Sequence, residues 1–219
     1  MADPHHQGKF ITLEGGEGAG KSTQVRAIAE RLAARGIETL TTREPGGSAK
    51  AEELREVILS GFAKQFSPIG EAMLFSAARI DHLDQTIRPA LARGVWVVCD
   101  RFMDSTQAYQ GALGNIDPRL IKALERVAVG PTRPDLTLIL DLPAEIGLAR
   151  AAARRKKGAA ADRFEGEDLE FHQALRKSFL EIAAAELERC AVIDAAQDVD
   201  QVSAQIWDEI RRRLLKESV

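Results

Sequence analysis

The sequence predicts a three-layer α/β/α fold built on a five-stranded parallel sheet, and three observations predict it. Short apolar runs alternate with longer stretches of helical periodicity. The runs are continuously apolar, as in strands covered on both faces. Four of them end in charged residues, Glu14, Arg43-Glu44, Asp100-Arg101 and Asp141. These would gather at the carboxyl edge of the sheet, where open α/β sheets bind ligands.

Phe10 to Leu13 reads as the first strand. Ser22 to Arg35 follows as a helix, with Val25, Ile28, Ala29 and Leu32 on one face and Gly36 as its stop. Ile37 to Thr42 is the second strand, and Ala49 to Ser60 a helix with Leu54, Val57 and Ile58 in register. Ser67-Pro68 is a cap followed by a first-turn proline. It opens a helical pattern from Ile69 to Ala92, expected to bend near Pro89. Val95 to Cys99 is the third strand. Asp117-Pro118 starts a helix ending near Gly130-Pro131, and Leu136 to Leu140 is the fourth strand. Helices are expected over Pro143 to Lys156, Glu167 to Glu188 and Val199 to Glu217, with the last strand at Ala191 to Ile193.

Between the first strand and its helix lies Gly15-Gly16-Glu17-Gly18-Ala19-Gly20-Lys21-Ser22-Thr23. This fits G-x-x-x-x-G-K-[ST] with a strand before it and a helix after it, a P-loop. Glycine lets the backbone turn so that amide N–H groups converge on phosphate oxygens. The helix points its positive N-terminal end at the same place. Lys21 supplies a point charge for the β- and γ-phosphates, and the Ser22 hydroxyl a ligand for Mg²⁺. Residues 15–23 are therefore candidate contacts of a nucleoside triphosphate with Mg²⁺.

Composition narrows the rest. The chain has 219 residues, 45% hydrophobic and 29% charged, which suits one globular domain with a sizeable core. A net charge of −3 and 5% aromatic residues speak against nucleic-acid binding. No run approaches the ~20 apolar residues of a membrane span, and the first residues have no signal-peptide core. A cytoplasmic protein is expected, with residues 1–8 as a disordered leader. Cys99 and Cys190 read as buried, reduced thiols. There is no Asn-Lys-x-Asp base-specificity motif of a GTPase. Arginines at several strand ends suggest a second anionic substrate, which favours a small-molecule kinase over a motor.

Four further stretches, "TREPGG" (42–47), "LFSAAR" (74–79), "DRFMDSTQAYQG" (100–111) and "PDLTLILD" (134–141), follow the P-loop. In order and spacing the five resemble thymidylate kinases, over roughly Phe10 to Asp194. The resemblance implies the nucleoside monophosphate kinase type of P-loop NTPase fold, a homodimer, and transfer of the γ-phosphoryl of ATP to dTMP. It implies that Arg43 holds the dTMP phosphate with Glu44 orienting it. It implies that Phe75 stacks on thymine, and that Arg79 donates to a thymine carbonyl. Arg101 reaches the transferring phosphate, and Asp100 holds Mg²⁺ with Ser22. Tyr109 packs where a ribose 2′-hydroxyl would sit, Gln107 and Ser105 approach the nucleoside, and Glu14 contacts sugar or metal.

The basic, Gly/Ala-rich stretch 149–168 suits a mobile lid, about 148–166, that excludes water on closing. The P-loop carries no arginine, so the chain resembles the bacterial type whose catalytic arginine lies in the lid. Arg154 is the first candidate, Arg163 the second, and Arg150 is expected along adenine. The open alternatives are another nucleoside monophosphate or deoxynucleoside kinase, and a non-catalytic nucleotide-dependent switch.

Overall fold

The computed structural model describes residues 8–154, 164 and 166–216. Its sheet has strands β1 (Phe10–Glu14), β2 (Thr39–Arg43), β3 (Trp96–Asp100), β4 (Leu136–Asp141) and β5 (Cys190–Asp194), all parallel, in the order β2-β3-β1-β4-β5. Central β1 is buried along its whole length. Edge strand β2 is only half-covered, which accounts for its threonines. It starts two residues later than Ile37, the expected first residue.

Helices α1 (Lys21–Ala33) and α9 (Val199–Ile210) cover one face, where Ile11, Leu13 and Val98 pack against Ile28, Leu32 and Ile206. The other face is covered by two groups of helices. Phe10, Val97 and Cys99 meet Leu83, Ile87 and Phe102, while Ile139 and Cys190 meet Tyr109, Leu175 and Phe179. In the middle of this second face the hydroxyls of Thr12 and Thr137 bond to each other at 2.8 Å. Both cysteines are buried and unpaired.

The remaining helices are α2 (Ala49–Leu59), α3 (Pro68–His82), α4 (Arg88–Ala92), α5 (Met103–Thr106), α6 (Pro118–Ala128), α7 (Ala144–Arg154) and α8 (Leu169–Ala185). The expected caps hold: the Ser67 hydroxyl accepts from the Gly70 N–H and Asp117 from the Arg119 N–H. Val57 is the exception in α2, facing solvent while Ile58 is fully buried. The bend foreseen at Pro89 is a π-helical turn, Leu83–Ile87, placed just before it. Proline lacks the N–H that the helix would use and crowds the turn behind it, and the wider turn absorbs both. A second π-helical segment, Gln107–Leu113, continues α5, and a third, Arg211–Leu215, follows α9. Among the described residues no helix is long and apolar enough to cross a membrane.

The first turn of the P-loop touches α7 without a side chain between them. A Cβ on Gly18 would lie 2.1 Å from the Gly147 carbonyl oxygen, and one on Gly147 2.3 Å from the Glu17 carbonyl oxygen. Gly147→Ala is therefore expected to lower stability by about 1–3 kcal/mol in urea denaturation, because backbone rather than a flexible side chain must move.

Candidate active site

The cleft lies at the carboxyl edge of the sheet and encloses ≈ 230 Å³. The P-loop forms one wall. Gly20, at φ +90°, turns the chain so that α1 begins at Lys21 with its free N–H groups facing the cleft. Lys21 is buried, its ammonium donating to the carbonyls of Gly15 (2.9 Å) and Gly16 (2.8 Å). Burial and neighbouring Arg101 push this amine down to about 8, against the opposing pull of Glu17, Asp100 and Glu14. Ser22 Oγ donates to Asp100 Oδ2 at 2.6 Å, so the two candidate metal ligands already meet.

Beyond β3 the chain forms the floor. Arg101 sits at φ +68°, a conformation that costs an L-residue ~1–2 kcal/mol. Three bonds impose it. The Arg101 N–H donates to the Leu13 carbonyl (2.9 Å), and the Cys99 thiol donates to the Arg101 carbonyl (3.0 Å). The next N–H, of Phe102, donates to Glu14 Oε1 at 2.8 Å. The guanidinium then reaches Glu17 Oε1 (2.5 Å) and the Gly15 carbonyl (3.2 Å), and lies 5.3 Å from the Tyr109 ring centre. Burial would raise the Glu17 carboxyl, but Arg101 and Lys21 outweigh it and hold it at about 2. Burial likewise pushes the Tyr109 phenol well up, and its hydroxyl donates to Glu17 at 3.3 Å.

The opposite wall comes from the loop after β2 and from α3. Arg43 and Phe75 line it, with Arg79 buried behind. Arg79 donates to Glu44 Oε2 (2.7 Å), Thr106 Oγ1 (3.1 Å) and the Phe102 carbonyl (3.0 Å). Arg154, at the end of α7, and Phe164 complete the lining, Phe164 packing edge-on against Tyr109 at 4.9 Å.

A family model described as thymidylate kinase matches residues 13–206. The chain is 57% identical to the thymidylate kinase of Bradyrhizobium diazoefficiens strain USDA 110 over 95% of its own length and 91% of that protein's. The thymidylate kinase of Rhodopseudomonas palustris strain TIE-1 is 55% identical over 96% and 91%. The chain belongs to the thymidylate kinase family. A crystal structure of the thymidylate kinase from Ehrlichia chaffeensis superposes with a TM-score of 0.75 at 32% identity, covering 94% of this chain and 99% of that one.

Against the expectations for a thymidylate kinase, the structure places most predicted residues on the cleft and moves a few. Glu17, Gly18, Ala19, Gly20, Lys21, Ser22, Arg43, Phe75, Arg79, Asp100, Arg101, Ser105, Tyr109 and Arg154 line it. Gly15 and Gly16 contribute carbonyls to Lys21 from behind, and Thr23 stands exposed on α1 outside the lining.

Glu14 does not face the cleft. It is fully buried and accepts from the Phe102 and Ser105 N–H groups and, at 2.6 Å, from the Ser105 hydroxyl. It thereby caps α5 from another strand, and the place foreseen for it at the seam of the cleft is taken by Glu17. Burial and nearby Asp104 push the Glu14 carboxyl up to about 7 against those hydrogen bonds and Arg101.

Glu44 does not orient Arg43 either; Glu52 does, accepting from Arg43 at 3.0 Å, while Glu44 turns inward to Arg79. Gln107 is displaced by helical phase. Because α5 starts at Met103, residues 105, 106, 109 and 110 share the cleft face, so Thr106 and Gln110 line it and Gln107 does not. Arg55, one turn after Glu52 on α2, also lines the cleft and donates to the Pro45 carbonyl at 2.6 Å. Arg150 donates to the Ala195 carbonyl at 3.1 Å, outside the lining. Arg163 and most of the predicted lid lie outside the described residues.

The low Lys21 pKa has a measurable consequence. Trading two carbonyls for phosphate oxygens favours the charged amine and raises its pKa. Calorimetry of ATP binding at pH 8.5, in buffers of different ionisation enthalpy, is expected to show net proton uptake that fades at pH 6.5. Proton release at pH 8.5 would contradict the assignment.

Proposed function

We propose that the chain transfers the γ-phosphoryl group of ATP to dTMP, giving dTDP and ADP. The observation that carries this is the Arg101 guanidinium. It is held between the P-loop, through Glu17 and Gly15, and the wall formed by Ser105 and Tyr109, and a cation held there suits a reaction that brings two phosphate-bearing substrates together.

The P-loop N–H groups, the start of α1 and Lys21 hold the triphosphate, with Arg150 toward adenine. Arg43 takes the acceptor phosphate, an arrangement suited to a guanidinium fork. Glu52, bound to Arg43, also accepts from the Gly47 N–H at 2.9 Å and so fixes that arginine relative to the turn. Phe75 stacks on thymine while Arg79 donates to its carbonyl. Tyr109, with Glu17 against its hydroxyl, closes the space beside the sugar. The acceptor phosphate is already an anionic nucleophile, so these residues align rather than deprotonate it. Arg101, Lys21 and a lid arginine, Arg154 first and Arg163 second, offset the charge that spreads over the transferring group.

Ser22 and Asp100 fit a hard cation: both present oxygen, and Mg²⁺ is commonly held by one or two carboxylates with substrate phosphates completing its shell. When bound there, Mg²⁺ would neutralise phosphate charge. The chain is further proposed to act as a single domain in the cytoplasm. It is also proposed to pair with a second copy through the exposed apolar side chains Phe62, Phe66, Met73 and Ile80.

The direct test is coupled ADP release with dTMP, dUMP, dCMP and thymidine. dTMP-dependent release is expected, abolished by EDTA and restored by Mg²⁺; preferential use of thymidine would reject the reading. Arg154→Ala is expected to lower kcat by ~10³-fold, the scale of an arginine finger. Near-normal turnover in that variant would shift the role to Arg163.

A further inference from the structure

The "TREPGG" stretch contains three residues that meet one buried side chain from α3, His82, which is 0% exposed. Its Nε2 lies 2.8 Å from the Thr42 hydroxyl and its Nδ1 lies 3.0 Å from Glu44 Oε1. A Cβ on Gly47 would come within 2.2 Å of the same ring, so the turn is folded directly onto it. Glu44 divides its oxygens between two residues of one helix face, Oε1 to His82 and Oε2 to Arg79.

The hydrogen bonds run in one consistent direction. Arg79 already balances the Glu44 charge, so a neutral imidazole leaves the buried cluster without net charge. Nδ1–H then donates to Glu44, and Nε2 accepts from the Thr42 hydroxyl. Removing the ring strands Glu44 Oε1, a buried acceptor that must find another donor or turn away. Either change moves the atom that bears on Arg79 Nε.

We infer that His82 is a positioning residue for base recognition: by holding Glu44 from behind, it fixes the orientation in which Arg79 meets the acceptor's nucleobase. This rests on reading the cleft as the dTMP site. His82 touches neither substrate; it acts through Glu44.

The test compares His82→Ala, His82→Asn and His82→Gln in steady-state kinetics, with thermal melts to confirm folding. His82→Ala is expected to raise KM for dTMP by about 10-fold, the cost of one stranded buried acceptor. KM for ATP and kcat should stay within about 3-fold on the same scale. An asparagine amide reaches the place of Nδ1, and a glutamine amide that of Nε2. Most of the dTMP affinity should therefore return with His82→Asn and little with His82→Gln. An unchanged KM for dTMP in folded His82→Ala overturns the inference. So do equal rises in KM for both substrates, or rescue by Gln rather than Asn. ¹⁵N spectra of the unsubstituted protein should show a neutral Nδ1–H ring, and the opposite tautomer also overturns it. Absence of dTMP turnover in the unsubstituted protein overturns the functional reading itself. A silent His82→Ala beside normal turnover overturns this inference alone.

Discussion

The contact between Arg101 and Glu17 holds the cleft together. The guanidinium comes from the loop after β3 and the carboxylate from the P-loop, and they meet at 2.5 Å. The P-loop must present N–H groups to an anion, which leaves a carboxylate within it one place to go, away from the phosphates and toward a cation. Arg101 provides that cation at the cost of a left-handed backbone, and the surroundings enforce that backbone through Leu13, Cys99 and Glu14. Behind it, Arg189 grips both oxygens of Asp104 at 2.8 Å and pins α5 from the far side. The position of one guanidinium is thus set by strands β1 and β3 together with Arg189, the residue that precedes β5.

Charge is organised the same way elsewhere in the cleft. Lys21 and Arg79 are buried and Arg101 is half-buried, and each is held by carbonyl or carboxylate oxygens before any substrate arrives. Such pairing limits the desolvation cost of buried cations and fixes their geometry, so little reorganisation is needed when phosphate oxygens enter. Arg43 and Arg154 are the exceptions, both exposed to solvent. Both line the cleft, Arg43 held by Glu52 at 3.0 Å.

Much of this was legible in the chain. Apolar runs marked the central strands β1, β3 and β4 most plainly, because both their faces are covered, while half-covered β2 carries threonines and starts two residues later than expected. The P-loop was legible as a local motif whose chemistry is done largely by its own backbone. What escaped was non-local. Glu14 looks like any carboxylate at a strand end until α5 is folded over it, and α5 is too short to announce itself without that cap. The phase of α5 decides between Gln107 and Gln110, and one residue of uncertainty in its start exchanges them. Glu44 stands beside Arg43 in sequence, but adjacent residues on β2 and its loop point apart, so its partners come from α3.

The close approach of Gly18 and Gly147 bears on how such a chain can vary over time. Most packed pairs can drift, since a larger residue on one side is accommodated by a smaller one on the other. Here each glycine faces a peptide oxygen rather than a side chain. No replacement elsewhere makes room, so the two positions have no compensating partner and must each stay as they are. The P-loop and α7 are thereby fastened at a point that substitution cannot adjust in small steps.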